Sequence, residues 1–215
     1  FLWLASDRGC NEAAMTDAEA YIALNMVPKI GPIRVRRLLE AIGSPVGVLS
    51  ATKDRLLSVQ GIGPDTAESI RSWESHVDLS GELTLIRDFG AKALTPASSD
   101  YPALLREIHD PPTVLYILGD ILERDRHAIG VIGTRKPSHY ASDCAKKLSY
   151  QLAYAGVTVV SGLARGIDTA AHQAALAAKG RTIAVLGSGL LELYPPENKT
   201  LAEKIATSGA VITEF

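Results

Sequence analysis

Cysteine is scarce in this sequence. Cys10 and Cys144 are the only two, they form no CxxC spacing, and no histidines stand near them at metal-ligand spacing. Neither a disulfide framework nor a zinc site is indicated, and the thiols read as buried or inert groups in a reducing compartment. Long apolar runs are missing as well. The opening Phe1-Leu2-Trp3-Leu4-Ala5 is cut off by Asp7 and Arg8 and is too short for a signal or a membrane span, so a cytoplasmic protein is expected. A dominant charge is absent too: 22 Lys and Arg face 24 Asp and Glu, which taken alone argues against nucleic acid. The usual phosphate-binding strings are also lacking. There is no GxxxxGK[ST], and no GxGxxG with an acidic residue closing the second strand, so neither nucleotide hydrolysis nor ordinary dinucleotide binding has its customary ligands.

What is present is a repeated pattern of strand, glycine turn and helix. The apolar runs Ala128-Ile129-Gly130-Val131-Ile132 and Val157-Thr158-Val159-Val160 lead into Gly133-Thr134-Arg135 and into Ser161-Gly162-Leu163-Ala164-Arg165-Gly166-Ile167-Asp168. Each turn precedes a segment of helical period. Thr182 to Leu186 leads likewise into Gly187-Ser188-Gly189, and Ala210-Val211-Ile212-Thr213 is a fourth strand-like run. Alternation of this kind predicts an α/β domain with a parallel sheet and right-handed crossovers, which sets the three turns side by side at the carboxyl ends of their strands. With 215 residues, 47% of them hydrophobic, the chain suffices for one large domain or one plus a small one.

The charge is uneven along the chain. Residues 126–181 hold eight Lys and Arg against two Asp and Glu, a net of +6 in the glycine-turn region, whereas residues 79–125 carry −4. A positive field on one crevice points to an anionic ligand, with a solvated basic helix face as the plainer source of part of it. The turns offer glycine for close backbone approach, hydroxyls at Thr134, Ser161 and Ser188, and guanidinium groups at Arg135 and Arg165, a set suited to positioning phosphate. Arg165 has a plainer reading as the ion-pair partner of Asp168. Asp168 in turn is expected to cap a helix over 169–179. His172 shares a helical face with Asp168, an acid-base pair in one reading and a structural histidine in the other. Tyr194 and Lys199 are expected at the rim, Tyr194 either stacking on a base or packed in the core.

Residues 1–14 read as a tail, with Met15 as a natural start. Helices over 17–27, 33–42, 46–50, 54–58 and 65–73 predict a small all-α domain over residues 15–78. It holds two related turns, Val27-Pro28-Lys29-Ile30-Gly31-Pro32 and Val59-Gln60-Gly61-Ile62-Gly63-Pro64, their glycines 32 residues apart. The second has the helix-hairpin-helix pattern, whose glycines admit a phosphate to a helix start; the plain alternative is an αα corner with a glycine C-cap. Arg34, Arg36 and Arg37 leave open a module that contacts duplex DNA. Residues 79–125 predict a helix over 83–89 and strands over 92–95 and 113–119 that extend the sheet.

The glycine turns, with Ala171-His172 after the second and Tyr194-Pro195 after the third, resemble the DprA/Smf family, DNA-processing proteins of bacterial transformation. The resemblance covers Met15 to Phe215. It implies an extended Rossmann-like domain with a parallel-rich sheet over 79–215, preceded by a SAM or helix-hairpin-helix-like domain. It also implies a pocket for single-stranded DNA at Gly133, Thr134, Arg135, Ser161, Gly162, Arg165, Gly166, Gly187, Ser188 and Gly189, with Lys199 a weaker member. Homodimerisation, loading of RecA recombinase, and the absence of catalysis, metal and cofactor are further implications. In two respects the sequence departs from the family. Thr134 stands where serine or alanine is commoner, and the family runs on past Phe215 into a segment that completes the sheet, so a fragment is expected. The rival class is a LOG-type phosphoribohydrolase, whose PGGxGTxxE string is absent here.

Overall fold

The computed structural model describes residues 15–215; the expected tail, residues 1–14, lies outside the described residues. The first helix, α1 (Asp17–Met26), begins with a capping box: the Thr16 hydroxyl accepts the Glu19 N–H at 3.3 Å, and Glu19 Oε2 accepts the Thr16 N–H at 2.7 Å. Four short helices follow, α2 (Pro32–Ile42), α3 (Pro45–Leu49), α4 (Lys53–Leu57) and α5 (Pro64–Arg71). They enclose a shared core that includes Leu24, Leu38, Val48, Leu56 and Ile70.

The two related turns have matching backbones. Lys29 and Gly61, 32 residues apart, both take left-handed φ angles, +67° and +88°. Gly31 and Gly63 are extended and serve as N-caps ahead of Pro32 and Pro64. In the second turn no glycine is a C-cap: Ser58 is the C-cap of α4, and Gly63 is the N-cap of α5 ahead of Pro64, which takes the first helical position as expected. All three arginines left open for DNA are engaged within the protein. Arg34 donates to the Lys29 carbonyl, Arg37 to the Gln60 carbonyl at 3.3 Å, and Arg36 pairs with Glu40 at 3.6 Å while donating to the His109 carbonyl.

Helix α6 (Leu79–Phe89) starts four residues earlier than its apolar pattern predicts, because Asp78 caps it by accepting the Gly81 N–H at 2.9 Å. Then come β1 (Lys92–Leu94), α7 (Ala103–Arg106), β2 (Leu115–Gly119), β3 (Ala128–Gly130), α8 (His139–Tyr154), β4 (Thr158–Ser161), α9 (Ile167–Ala177), β5 (Thr182–Val185), α10 (Lys199–Ser208) and β6 (Ala210–Thr213). The sheet runs β1-β2-β6-β5-β4-β3. Strands β3 to β6 are parallel, and β1 and β2 extend the sheet antiparallel.

The central strands are buried on both faces. On β5 and β6, Ala184 and Val211 pack with Leu201 and Ile205 of α10, whereas Ile183 and Ala210 pack on the opposite face with Tyr101, Leu115 and Ile117. Tyr21 and Ile22 of α1 pack against Val114 and Tyr116, seating the helical unit on β2. Strand β3 is shorter than the apolar run over 128–132, forms the sheet edge, and leaves Ile129 44% exposed. A neighbour on one side only, β4, accounts for that exposure.

At the opposite end of the strands, Arg181 and Asp125 form a buried ion pair. Arg181 Nε and Nη2 donate to Asp125 at 2.6 and 2.8 Å, Nη1 donates to the Ser208 carbonyl at 2.8 Å, and Thr158 donates to Asp125 at 2.8 Å. Burial pushes the Asp125 carboxyl up, but the hydrogen bonds from Arg181, the Leu122 N–H and Thr158, with the Arg181 charge, outweigh it and hold the group below its usual range. No helix among the described residues is long and apolar enough to cross a membrane.

Candidate functional site

Because β3, β4 and β5 are adjacent and parallel, the three turns that follow them share one edge of the sheet. The first two are interlocked through backbone. Gly166 has φ +84°, and a Cβ there would run into the Thr134 carbonyl and the Arg135 backbone. The Ile167 N–H donates to that same Thr134 carbonyl at 3.2 Å. Gly133 lies against Ile167, whose Cγ1 would stand 2.7 Å from an added Cβ. At Gly187, by contrast, an added Cβ meets nothing within 4 Å.

Asp168 does not cap the helix over 169–179, which corrects that expectation. Helix α9 begins at Ile167 with Gly166 as its N-cap, and the Asp168 carboxylate turns back onto the preceding turn. Its Oδ2 accepts the N–H groups of Gly162 at 3.1 Å and Ala164 at 3.4 Å. A buried carboxylate thus occupies the amides of the second turn. Among the described residues the N–H groups of Gly133, Thr134 and Arg135 make no hydrogen bond, and all three residues are exposed, which leaves these donors to meet an anion.

The hydroxyls divide in the same way. Ser161 is buried and donates to the Val131 carbonyl at 2.6 Å, joining β3 to β4 instead of facing the crevice. The Thr134 hydroxyl accepts the Lys136 N–H at 3.2 Å, and the Ser188 hydroxyl accepts the Tyr194 N–H at 3.2 Å. Gly189 sits beside the Phe215 carbonyl at the far end of the edge.

His172 is fully buried and takes the structural role. Thr182 donates its one hydroxyl proton to the Val159 carbonyl at 2.7 Å, so its oxygen accepts from His172 Nδ1 at 2.7 Å. Burial is the dominant cause that pushes the imidazole down to about 4. The ring is neutral at physiological pH and makes no acid-base pair with Asp168.

Arg165 pairs with neither Asp168 nor a core group. Its Nε and Nη2 both donate to Glu197, the latter at 3.1 Å, and its Nη1 donates to the Tyr194 hydroxyl at 3.0 Å. The guanidinium lies 5.3 Å from the centre of the Tyr194 ring, which is 57% exposed and so belongs to the rim. Hydrogen bonding to Arg165 holds the Glu197 carboxyl below its usual range and raises Arg165 in turn. Asn198 anchors this loop, donating to the Leu163 carbonyl at 2.7 Å and the Thr169 hydroxyl at 2.8 Å. Lys199 opens α10 directly after it and is exposed. Neither Glu197 nor Asn198 stands out as a site residue in the sequence, because each meets partners some thirty residues away.

The positive field is smaller than the net count implies. Arg126, Arg165 and Arg181 are paired with Glu123, Glu197 and Asp125, while Arg135 and Lys136 are exposed at the first turn with no side-chain ion pair among the described residues. Lys146 and Lys147 lie on α8 and line a cavity of about 450 Å³ between α8 and α9, away from the turns.

Comparison with known proteins bears on this edge. The profile of the family described as DNA recombination-mediator protein A matches residues 92–215, and that of a SAM-like helix-hairpin-helix tandem matches residues 21–72. Protein Smf of Synechocystis is 36% identical over 94% of the chain and 52% of its own length. The DNA processing protein DprA of Bacillus subtilis is 39% identical over 61% of the chain and 45% of its own length. The chain thus spans about half the length of these relatives. The solved structure of Streptococcus pneumoniae DprA superposes with a TM-score of 0.75 at 28% identity, covering 94% of the chain and 68% of that protein. That of Helicobacter pylori DprA, described for its single-stranded DNA binding mode, has a TM-score of 0.51 at 30% identity, covering 58% of the chain and 55% of that protein. With more than half of its residues matched by the profile, the chain belongs to the DNA recombination-mediator protein A family, the DprA/Smf proteins.

Proposed function

We propose that this protein binds single-stranded DNA without sequence preference and helps load RecA recombinase onto it in the cytoplasm during natural transformation, acting as a homodimer in its full-length form. The observation that carries the reading is the interlocked pair of glycine turns, which leaves the exposed residues 133–135 with unbonded N–H groups and the Arg135 side chain at the carboxyl edge of a parallel sheet. Amides and guanidinium groups in that arrangement contact phosphates and leave bases accessible, so the contacts carry no sequence information. The single-stranded DNA binding described for the Helicobacter relative supports the ligand. RecA loading, competence and dimerisation rest on family membership.

The reading is non-enzymatic. His172 is enclosed in the core, and the Asp168 carboxylate is directed at the amides of its own turn, which supports a binding role for this edge. The test is fluorescence anisotropy of a labelled oligonucleotide, single-stranded against duplex, over a salt series, with the wild-type chain and Arg135→Ala. Tighter single-strand binding that weakens with salt and drops in the variant is expected. A lack of single-strand preference, or an unaffected Arg135→Ala, refutes the assignment.

A further inference from the structure

We propose that Glu197 is an internal competitor of the DNA phosphate: its carboxylate occupies the fork of Arg165, and the incoming strand displaces it. The proposal rests on the reading that this edge takes single-stranded DNA. A planar guanidinium presents parallel donors that fit a carboxylate and a phosphate equally, so a carboxylate held by both Nε and Nη2 fills the position that a phosphodiester would take.

Three features make the pair suited to exchange. Both side chains are about half exposed, 47% for Arg165 and 51% for Glu197, so the contact opens without disturbing the core. Tyr194 holds the guanidinium independently of Glu197, through its hydroxyl at 3.0 Å and its ring face at 5.3 Å, and Arg165 stays aimed at the crevice when the carboxylate leaves. Asn198 fixes the loop backbone to Leu163 and Thr169, so displacement is a rotation of the Glu197 side chain alone. A strand already held at residues 133–135 delivers its next phosphate at high effective concentration, whereas a lone phosphate ion has no such advantage over an attached carboxylate. Glu197 therefore selects for a polyanionic chain over small anions.

The decisive experiment measures oligothymidylate affinity by anisotropy for wild type, Glu197→Gln, Arg165→Ala and the double variant, with Glu192→Gln as a control for loss of a nearby negative charge. Thermal melting verifies that each variant folds. Glu197→Gln is expected to tighten binding about twofold to fivefold, the equilibrium effect of one exposed ion pair, with no tightening in the Arg165→Ala background. Inorganic phosphate is expected to compete better against the strand in Glu197→Gln than in wild type. Binding that appears only in Glu197→Gln also supports the proposal. Unchanged or weaker binding by Glu197→Gln overturns it, since the carboxylate then merely supports Arg165. Equal tightening in the Arg165→Ala background, or by Glu192→Gln, overturns it as a general field effect. Strand binding that responds to Arg135→Ala but not to Glu197→Gln removes this inference and leaves the function standing; no binding by any variant removes both.

Discussion

The backbone carbonyl of Thr134 accepts the N–H of Ile167 at 3.2 Å, which closes the first glycine turn onto the start of α9 with Gly166 pressed beneath it. Gly166→Ala adds a Cβ against backbone that has nowhere to move, at a φ of +84° and ψ of −121° that L side chains avoid. The expected loss is about 2–4 kcal/mol of stability in urea denaturation, with the single-strand affinity falling as the two turns part.

Gly187→Ala separates folding from binding at the same edge. Its Cβ meets nothing within 4 Å and its backbone φ is not positive, so stability stays within about 0.5 kcal/mol of wild type. The exposed methyl group stands where a phosphate would approach the third turn. Anisotropy is expected to show severalfold weaker single-strand binding; wild-type affinity would remove this turn from the interface.

Protonation of His172 gives the fold an acid limit. Its unfolded value lies near 6.5 and its folded value is pushed down to about 4 by burial, so the unfolded state binds the proton more readily. The stability gained from a neutral imidazole is complete above about pH 6.5 and is lost as pH falls toward 4, on the order of 3 kcal/mol in all. Urea denaturation across that window is expected to show a steeper pH dependence for wild type than for His172→Gln.

Asp125 supplies a second, buried charge effect. Asp125→Asn leaves Arg181, itself only 7% exposed, without its counter-ion, at an expected cost of about 3–5 kcal/mol. Because the folded Asp125 value lies below the unfolded one, its contribution is full above the ordinary carboxylate range and disappears as pH falls through the lower folded value. Thermal melting of Asp125→Leu with Arg181→Met is expected to recover part of the loss, since no buried charge is then left alone.

The elements of the α/β sheet were legible wherever a short run of β-branched residues ended in glycine. Val157 to Ser161 and Thr182 to Leu186 contain strands close to where the pattern predicts them. The strand over 113–119, ending in Gly119, was legible for the same reason, and that over 92–95 as a short run before Pro96, though not their antiparallel direction. The start of α6 was missed because Ser80 and Gly81 dilute its apolar period, while the Asp78 cap that sets it is a single side-chain contact.

Within the candidate site, residue types were legible and partners were not. Glycine, arginine and hydroxyl side chains at strand ends follow from local chemistry, so the chain by itself determined an edge of phosphate-sized turns and their proximity. Only the tertiary structure decided which groups face outward. Ser161 was drawn inward by the Val131 carbonyl and Asp168 by the amides of its own turn, while Arg165 found Glu197 thirty-two residues ahead. The physical reason is that a hydrogen bond or ion pair depends on distances of about 3 Å between groups that the chain brings together only after the sheet has formed, and no spacing in the sequence encodes which donor reaches which acceptor first.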